Sequence, residues 1–217
     1  MSDPKDVPSI PVGILSKKEL HDRLYADNND EKKIVVTPMI DEKEQLGDFS
    51  IDVRLGCDFV VFKKTKFSAL EPSDKMGKGI GEYQENVHVN FGDRIFLHPR
   101  EFVLGVTLEY VKLPPDIFAY ITSRSTWGRL GLVIATATAI HPNYAGIITL
   151  ELSNLGETPI PLNPGLRIAQ LIFHQAQKKE IEKFGNYQLS IQPGFVKVFD
   201  EPEWKLFDRL KDAKKKT

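Results

Sequence analysis

The sequence predicts an all-β protein, built as a sandwich or a barrel, and three observations lead to that expectation. Short apolar segments recur along the 217-residue chain between prolines and glycines, a spacing that is typical of antiparallel strands. Residues 50–56 and 146–154 also alternate apolar and polar side chains, which places one face of each strand in a core. A hydrophobic content of 41% allows one sizeable domain to bury that core.

The first element that we expect is a short helix near the start of the chain. Ser16 and Glu19 have the spacing of a capping box, and Leu15 with Leu20 can form the accompanying hydrophobic staple. The helix should run through about Tyr25. Strands are then expected at residues 34–36, 50–56, 58–64, 87–91, 94–97, 102–110, 117–121, 146–154 and 166–173.

The chain divides into one domain with two flanking segments. Residues 1–13 are polar and rich in proline and are expected to form a flexible arm, and residues 14–200 form the domain. Residues 65–84 contain several glycines and lysines and predict a surface loop. Residues 201–217 begin with apolar side chains at helical spacing and end in lysines, which predicts a short helix and a basic, solvated tail.

Composition excludes several classes of function. The net charge of −1 and the pI near 6.5 give no basic surface for nucleic acid. No apolar run approaches the roughly 20 residues of a membrane span, and the N-terminus does not resemble a secretory signal. Cys57 is the only cysteine, so an intrachain disulfide is impossible. We therefore expect a cytoplasmic protein without nucleic-acid or membrane partners.

Residues 123–129, Ser-Arg-Ser-Thr-Trp-Gly-Arg, concentrate groups that bind anions. They bring two guanidinium groups and three hydroxyl groups into seven positions. Arginine forks match phosphate oxygens in bidentate geometry, and hydroxyl groups add neutral donors. The sequence therefore predicts a phosphate site here, although surface arginines that serve solubility remain the alternative.

A single carboxylate interrupts the apolar strand at residues 146–154. Ile148, Leu150 and Leu152 share one face of this strand, and Glu151 points to the other. A carboxylate in such surroundings must find a partner, face water or have a raised pKa. Glu151 is thus a candidate general base, the alternative being a structural ion pair with Arg124 or Arg129.

These segments resemble the core of the dCTP deaminases, which belong with the trimeric dUTPases. The shared pattern is Arg-Ser-x-x-x-Arg-x-Gly at 124–131, Thr-Ala-x-x-Ile-x-Pro at 136–142, Gly-x-Ile-x-Leu-Glu at 146–151 and Pro-Gly-x-x-Ile-x-Gln-Leu at 164–171. The likeness covers roughly residues 14–175. Several motifs in one order are far more specific than any single motif.

The resemblance implies a dUTPase-like fold, a distorted β-barrel or jelly-roll with short N- and C-terminal helices. It also implies a homotrimer with sites between subunits. The implied reaction is hydrolytic deamination of dCTP to dUTP and ammonia, with Mg²⁺ held by the triphosphate. Zinc is not expected, because zinc-dependent base deaminases need a Cys-x-x-Cys pair and this chain has one cysteine and five scattered histidines.

The same resemblance assigns roles to individual residues. Glu151 would be the general base and acid, Ser125 and Arg129 would hold the attacking water, and the main-chain carbonyl of Ala137 would orient that water. The implied substrate-binding residues are Arg124, Ser125, Thr126, Arg129, Thr138, Ala139, His141, Tyr187, Gln188 and Gln192.

Departures from the family pattern keep other functions open. His141 stands where dUTPases have the aspartate that activates water, and Asn186 precedes Tyr187 where the family lid has a lysine. A dUTPase, a bifunctional deaminase–dUTPase and a non-catalytic nucleotide-sensing trimer therefore remain alternatives. Asp52 and Arg54 lie on a strand that also resembles the family, and we expect them to form a structural ion pair or a subunit contact rather than a site contact.

Overall fold

The computed structural model describes residues 13–28, 30–63, 83–135 and 139–176. Its helices are α1 (Lys17–Leu24), α2 (Glu42–Gln45) and α3 (Ser125–Gly128). Its strands are β1 (Val35–Thr37), β2 (Ile51–Arg54), β3 (Asp58–Phe62), β4 (Gln84–His88), β5 (Ile95–Leu97), β6 (Phe102–Lys112), β7 (Ile117–Ser123), β8 (Leu132–Ile134), β9 (Ala139–Ile140), β10 (Ala145–Asn154), β11 (Ile160–Leu162) and β12 (Arg167–Gln175).

The strands form three antiparallel sheets. The largest has the order β4-β3-β6-β10-β8, and β1 also pairs with β6. The second has the order β2-β12-β7-β9, and β11 pairs with β5 in a third, two-stranded sheet. The all-β prediction is confirmed, and within the described residues the strands lie in open sheets rather than in one closed barrel.

Strand alternation places the core where the sequence predicted it. Along β10, Ile148, Leu150 and Leu152 are at most 5% exposed, whereas the residues between them are half-buried. In β2, Ile51 and Val53 are fully buried in the same way. The two larger sheets therefore contribute their apolar faces to one core, and Glu151 lies on the opposite face of β10 from the buried leucines.

Helix α1 begins as predicted. The Ser16 hydroxyl accepts a hydrogen bond from the Glu19 N–H group, and the Glu19 carboxylate accepts one from the Ser16 N–H group. Leu15 and Leu20 are both buried. The helix ends at Leu24, within one residue of the expected position.

Two short helices were not predicted. Helix α2 lies between the strands expected at 34–36 and 50–56; the Asp41 carboxylate caps it at Glu44, and the side chain of Gln45 is buried beneath it. Helix α3 lies within the Arg-Ser segment. Neither is long enough to show helical periodicity; Asp41 was a local capping signal for α2, whereas the N-cap of α3, Arg124, makes no side-chain capping hydrogen bond.

The predicted strand bounds shift by a few residues, most clearly at β4, which begins three residues before the predicted range 87–91 and ends at His88. The flexible arm, most of the loop at 65–84 and the terminal helix lie outside the described residues, so the domain boundaries stay predictions.

Candidate active site

Glu151 projects from the outer face of β10. Its register partner on β6 is Leu104, and its side chain is half-buried. Burial raises the pKa of this carboxyl group above its ordinary value of 4.5. A carboxyl group that holds its proton more tightly than usual is better suited to taking a proton from water and returning it later.

A row of apolar side chains lies beside Glu151 on the same face. Ser153, two residues along β10, pairs with Val133 of β8 on one side and with Phe102 of β6 on the other. Val133 is 36% exposed, Phe102 is 39% exposed, and Leu155 at the end of the strand is 70% exposed. Glu151 thus borders an exposed apolar surface rather than an open polar one.

Strand β8 connects Glu151 to the Arg-Ser segment. The Ala135 N–H group, just after β8, donates to the main-chain carbonyl of Glu151 at 2.8 Å. On the other edge of β8, the Ile134 N–H group donates to the hydroxyl of Ser123 at 3.2 Å. The phosphate-binding candidates that begin at Arg124 are therefore anchored to the strand that borders Glu151.

The Arg-Ser segment is folded as one helical turn. Arg124 is the N-cap of α3, and its carbonyl accepts hydrogen bonds from the Trp127 and Gly128 N–H groups. Ser125 and Thr126 are exposed on this turn, and Arg129, its C-cap, is exposed as well. The turn therefore presents both hydroxyl groups and one guanidinium group to solvent, as a phosphate site requires.

Arg124, the other arginine of the segment, contacts the carboxylate of Asp52. The Nε atom of Arg124 lies 3.0 Å from the Oδ2 atom of Asp52, and Arg167 Nη1 lies 3.5 Å from the same oxygen. Burial raises the pKa of Asp52, and the two guanidinium groups pull it down without cancelling that effect. Asp52 therefore forms an ion pair, but its partner Arg124 is itself a site candidate, so the expectation of a purely structural role stays a prediction.

Arg167 was not singled out from the sequence, yet it contacts the Arg-Ser segment, Asp52 and helix α2. Its carbonyl accepts hydrogen bonds from Trp127 Nε1 at 2.8 Å and from Arg124 Nη1 at 3.3 Å. Its guanidinium group also pairs with the carboxylate of Glu44 at 2.8 Å. The only sequence signal for this role was its place in the Pro-Gly-x-x-Ile motif.

The remaining predicted residues divide into two groups. Ala139 and His141 are exposed around β9 and the turn that leads into β10, and the His141 carbonyl accepts a hydrogen bond from Tyr144. The other predicted site residues lie outside the described ranges, so their placement stays a prediction: Ala137, Thr138, Tyr187, Gln188 and Gln192.

Glu109 is a titratable group that the sequence analysis missed. Its side chain is fully buried on β6, where it accepts hydrogen bonds from Gln45 Nε2 at 3.1 Å and from the Arg54 N–H group at 2.7 Å. Burial raises its pKa to about 7, although these donors favour the ionised form. Arg54 Nη1, nearby, is buried without a hydrogen-bond partner among the described residues.

Metal ligands do not cluster in the described part of the chain. Among those residues, no group of three or more histidines, cysteines, aspartates or glutamates is arranged to hold a metal ion. Asp52 and Glu44, the carboxylates beside Arg124, are engaged by arginines. The same described residues contain no helix that is long and apolar enough to span a membrane.

Comparison with known proteins shows which family the chain resembles. The sequence profile of the family described as "DCD: dCTP deaminase-like" matches residues 14–176. A dCTP deaminase of Halorubrum lacusprofundi is 39% identical over 197 residues, which cover 88% of this chain and 94% of that protein. A "dCTP deaminase, dUMP-forming" of Methanobrevibacter smithii is 42% identical over 163 residues, or 75% of this chain and 80% of that protein.

A solved structure supports the fold. The deaminase of 2′-deoxycytidine 5′-triphosphate from Agrobacterium tumefaciens superimposes with a TM-score of 0.57 at 21% identity. The match covers 76% of this chain and 49% of that chain, and at this identity it shows the fold alone. From the profile match and the relatives, the chain belongs to the dCTP deaminase-like family and has its all-β, dUTPase-like fold.

Proposed function

We propose that this protein is a dCTP deaminase that hydrolyses the amino group of the cytosine ring and releases ammonia. The observation that carries the proposal is the position of Glu151, whose raised pKa and apolar surroundings suit proton transfer. Family membership supports the same reaction, because the relatives at 39% and 42% identity have names that include dCTP deaminase.

In the proposed mechanism, Glu151 moves every proton of the reaction. Its carboxylate takes a proton from a water molecule as the water oxygen attacks C4 of cytosine, and the proton is delivered to N3. The tetrahedral intermediate then loses the C4 amino group, which leaves as ammonia after receiving the proton of the new hydroxyl group. Dispensing with zinc is chemically reasonable, because one carboxylate with a raised pKa can alternate as base and acid.

The Arg-Ser segment supplies the rest of the site in this proposal. Ser125 and Arg129 hold the water near Glu151, and the carbonyl of Ala137 orients it. Arg124 and Thr126 face the phosphates. The exposure of Ser125, Thr126 and Arg129 on one helical turn supports these roles, because a nucleotide can reach them.

Substrate specificity in this proposal comes from the segment before β10 and from the C-terminal part of the chain. Thr138 and Ala139 read the cytosine edge through the main chain, and His141 contacts the sugar. Tyr187, Gln188 and Gln192 close over the triphosphate. The exposure of Ala139 and His141 is compatible with contact to a ligand.

We propose that Mg²⁺ arrives with the nucleotide as part of the substrate. The carboxylates beside Arg124 are paired with arginines, and Mg²⁺ is often bound through substrate phosphates rather than by an all-protein cage. A chelator should then suppress activity, and added Mg²⁺ alone should restore it. Stoichiometric zinc in active, purified protein would contradict the proposal.

We further propose a homotrimer with sites between subunits. The exposed apolar row of Phe102, Val133 and Leu155 beside Glu151 supports it, because contiguous exposed apolar side chains commonly mark an interface. Burial of this row by a second subunit would exclude water from Glu151 and raise its pKa further. Light scattering of Leu155→Asp against wild type would test this, and unchanged trimers in the variant would remove the row from the interface.

The proposed product is dUTP, because His141 lacks the carboxylate that would activate water for attack on the phosphate. A bifunctional deaminase–dUTPase is the second candidate, and the dUMP-forming name of the Methanobrevibacter smithii relative favours it. The two candidates share the deamination step and differ only in whether pyrophosphate follows.

A panel of nucleotides with product identification tests the function. Wild-type protein is incubated with dCTP, dCMP, dUTP and CTP in the presence of Mg²⁺, and ammonia, dUTP, dUMP and pyrophosphate are quantified. The proposal predicts equal amounts of ammonia and dUTP from dCTP. Pyrophosphate at a rate comparable to ammonia supports the bifunctional enzyme, and binding without any turnover supports a nucleotide-sensing protein.

A further inference from the structure

Asp52 lies where the site candidates meet the four-stranded sheet. Its carboxylate on β2 contacts Arg124, which precedes α3, and Arg167, which begins β12. The side chain of Asp52 is 13% exposed, whereas that of Arg124 is 29% exposed. The carboxylate is therefore beneath the arginine, on its protein side, and the guanidinium group lies nearer to solvent.

The protein contacts two of the three nitrogen atoms of the Arg124 guanidinium group. Asp52 Oδ2 lies 3.0 Å from Nε, and the carbonyl of Arg167 accepts a hydrogen bond from Nη1 at 3.3 Å. Two contacts on different nitrogen atoms fix both the position and the plane of a guanidinium group. Since they involve Nε and Nη1, the Nη2 side of the group is the part that can face a phosphate oxygen.

The main chain around Asp52 is held in place by hydrogen bonds to α2 and β6. Gln45 Nε2 donates to the main-chain carbonyl of Asp52 at 3.1 Å and also to Glu109 at 3.1 Å. The other Glu109 oxygen accepts a hydrogen bond from the Arg54 N–H group. The main chain of β2 is thus held by α2 at Asp52 and by β6 at Arg54, which fixes the point from which the Asp52 carboxylate reaches Arg124.

We propose that Asp52 is a positioning residue that holds Arg124 in the orientation that binds the nucleotide phosphates. An unrestrained arginine side chain loses rotamer entropy when it binds, and fixing it in advance lowers the cost of binding. Asp52 acts through Arg124 and does not touch the substrate. This inference rests on the proposed function, in which Arg124 faces the triphosphate.

The same chain contains a matched ion pair for comparison. Asp116 accepts hydrogen bonds from both terminal nitrogens of Arg23, at 2.8 and 3.3 Å, and its side chain is 14% exposed. Its partners Arg23 and Gln175 are not site candidates. Asp116 therefore represents an aspartate–arginine pair of similar burial whose role is structural.

The test is a double-variant cycle on nucleotide affinity. The dissociation constants of dCTP and dUTP and the KM of dCTP are measured for Asp52→Asn, Arg124→Ala, the double variant and Asp116→Asn. We expect Asp52→Asn to weaken binding roughly three- to thirtyfold, with a much smaller change in kcat. In the Arg124→Ala background Asp52→Asn should have no further effect, and Asp116→Asn should lower the melting temperature without changing affinity.

Several results would overturn the inference: normal affinity in Asp52→Asn, additive losses in the double variant, or an equal loss in Asp116→Asn. If Asp52→Asn does not fold, Arg124→Lys provides the second measurement, because lysine keeps the charge but lacks Nε. Affinity within about threefold of wild type in Arg124→Lys would contradict positioning through Nε.

Direct binding separates this inference from the proposed function. If wild-type protein binds the nucleotides but does not deaminate dCTP, the proposed function fails and the cycle on dissociation constants still decides the role of Asp52. If it binds neither nucleotide, both proposals fail.

Discussion

Glu109 and Glu151 lie on the neighbouring strands β6 and β10, and burial raises the pKa of both carboxyl groups. Their surroundings are opposite. Glu109 is fully buried and receives hydrogen bonds from Gln45 and from the main chain of Arg54. Glu151 is half-buried on an outer face, beside the exposed side chains of Phe102 and Val133.

The difference shows that a raised pKa alone does not identify a catalytic group. At Glu109 the carboxylate joins α2, β2 and β6 and has no access to a ligand, so it serves the structure. At Glu151 the carboxyl group can be reached from the surface, so its proton affinity is available for chemistry. Accessibility, together with the neighbouring Arg-Ser segment, separates the two roles.

The largest expected effect concerns Glu109, whose protonation should make the free energy of unfolding depend on pH. Its pKa of about 7 lies above the ordinary value of 4.5, so the folded protein binds the proton more tightly than the unfolded chain. The contribution of this group to stability is therefore full below about pH 4.5 and is lost as pH rises through about 7, a change on the order of 3 kcal/mol. Urea unfolding of wild type and Glu109→Gln across this range should show a fall in wild type that the variant lacks.

If both proteins lose stability equally between mildly acidic and neutral pH, Glu109 is not the group responsible. Glu109→Gln should also retain deamination under conditions where it is folded. Loss of turnover in a folded Glu109→Gln protein with normal nucleotide affinity would remove the distinction between the two carboxylates.

A smaller effect, on kcat/KM, is expected when either arginine of the Arg-Ser segment is replaced. Charge-assisted hydrogen bonds contribute about 1.5–3 kcal/mol each, so Arg124→Ala and Arg129→Ala should each reduce kcat/KM roughly ten- to hundredfold. Arg100→Ala, at an exposed position outside the segment, is the control and should behave as wild type. If both site variants bind and turn over dCTP normally, residues 123–129 are not the phosphate site.

The smallest effect is expected at His141. His141→Asp should keep deamination within about tenfold of wild type, because the histidine contacts the sugar rather than the reacting ring in the proposed site. Wild type should not release pyrophosphate from dUTP, since His141 lacks the fixed negative charge of the aspartate that activates water in dUTPases. Pyrophosphate release from dUTP at a rate comparable to deamination would show that the bifunctional enzyme is correct.

The parts of this picture that depend on local pattern could be predicted from the sequence. The capping box at Ser16 and the alternation along β10 are local, and both predictions are confirmed. The outward direction of Glu151 followed directly from the period of two in the strand.

The parts that depend on sheet order could not be predicted. Asp52 meets Arg124 only because β12 pairs with both β2 and β7 and brings strands distant in the sequence together. The burial of Glu109 depends in turn on the position of α2, a helix too short to produce a periodic signal. Long-range pairing and short capped turns are the two features that a single sequence does not reveal.

The most direct test of the central claim is the turnover of dCTP by Glu151→Gln. This substitution keeps the size of the side chain and removes its ability to take a proton from water. Ammonia release is measured at saturating dCTP, with nucleotide affinity, melting temperature and oligomeric state measured on the same protein. Affinity and fold should match wild type while turnover falls by at least about 10²-fold, the lower limit of a general base contribution. Turnover above about a tenth of the wild-type rate would contradict the assignment of Glu151 as the general base.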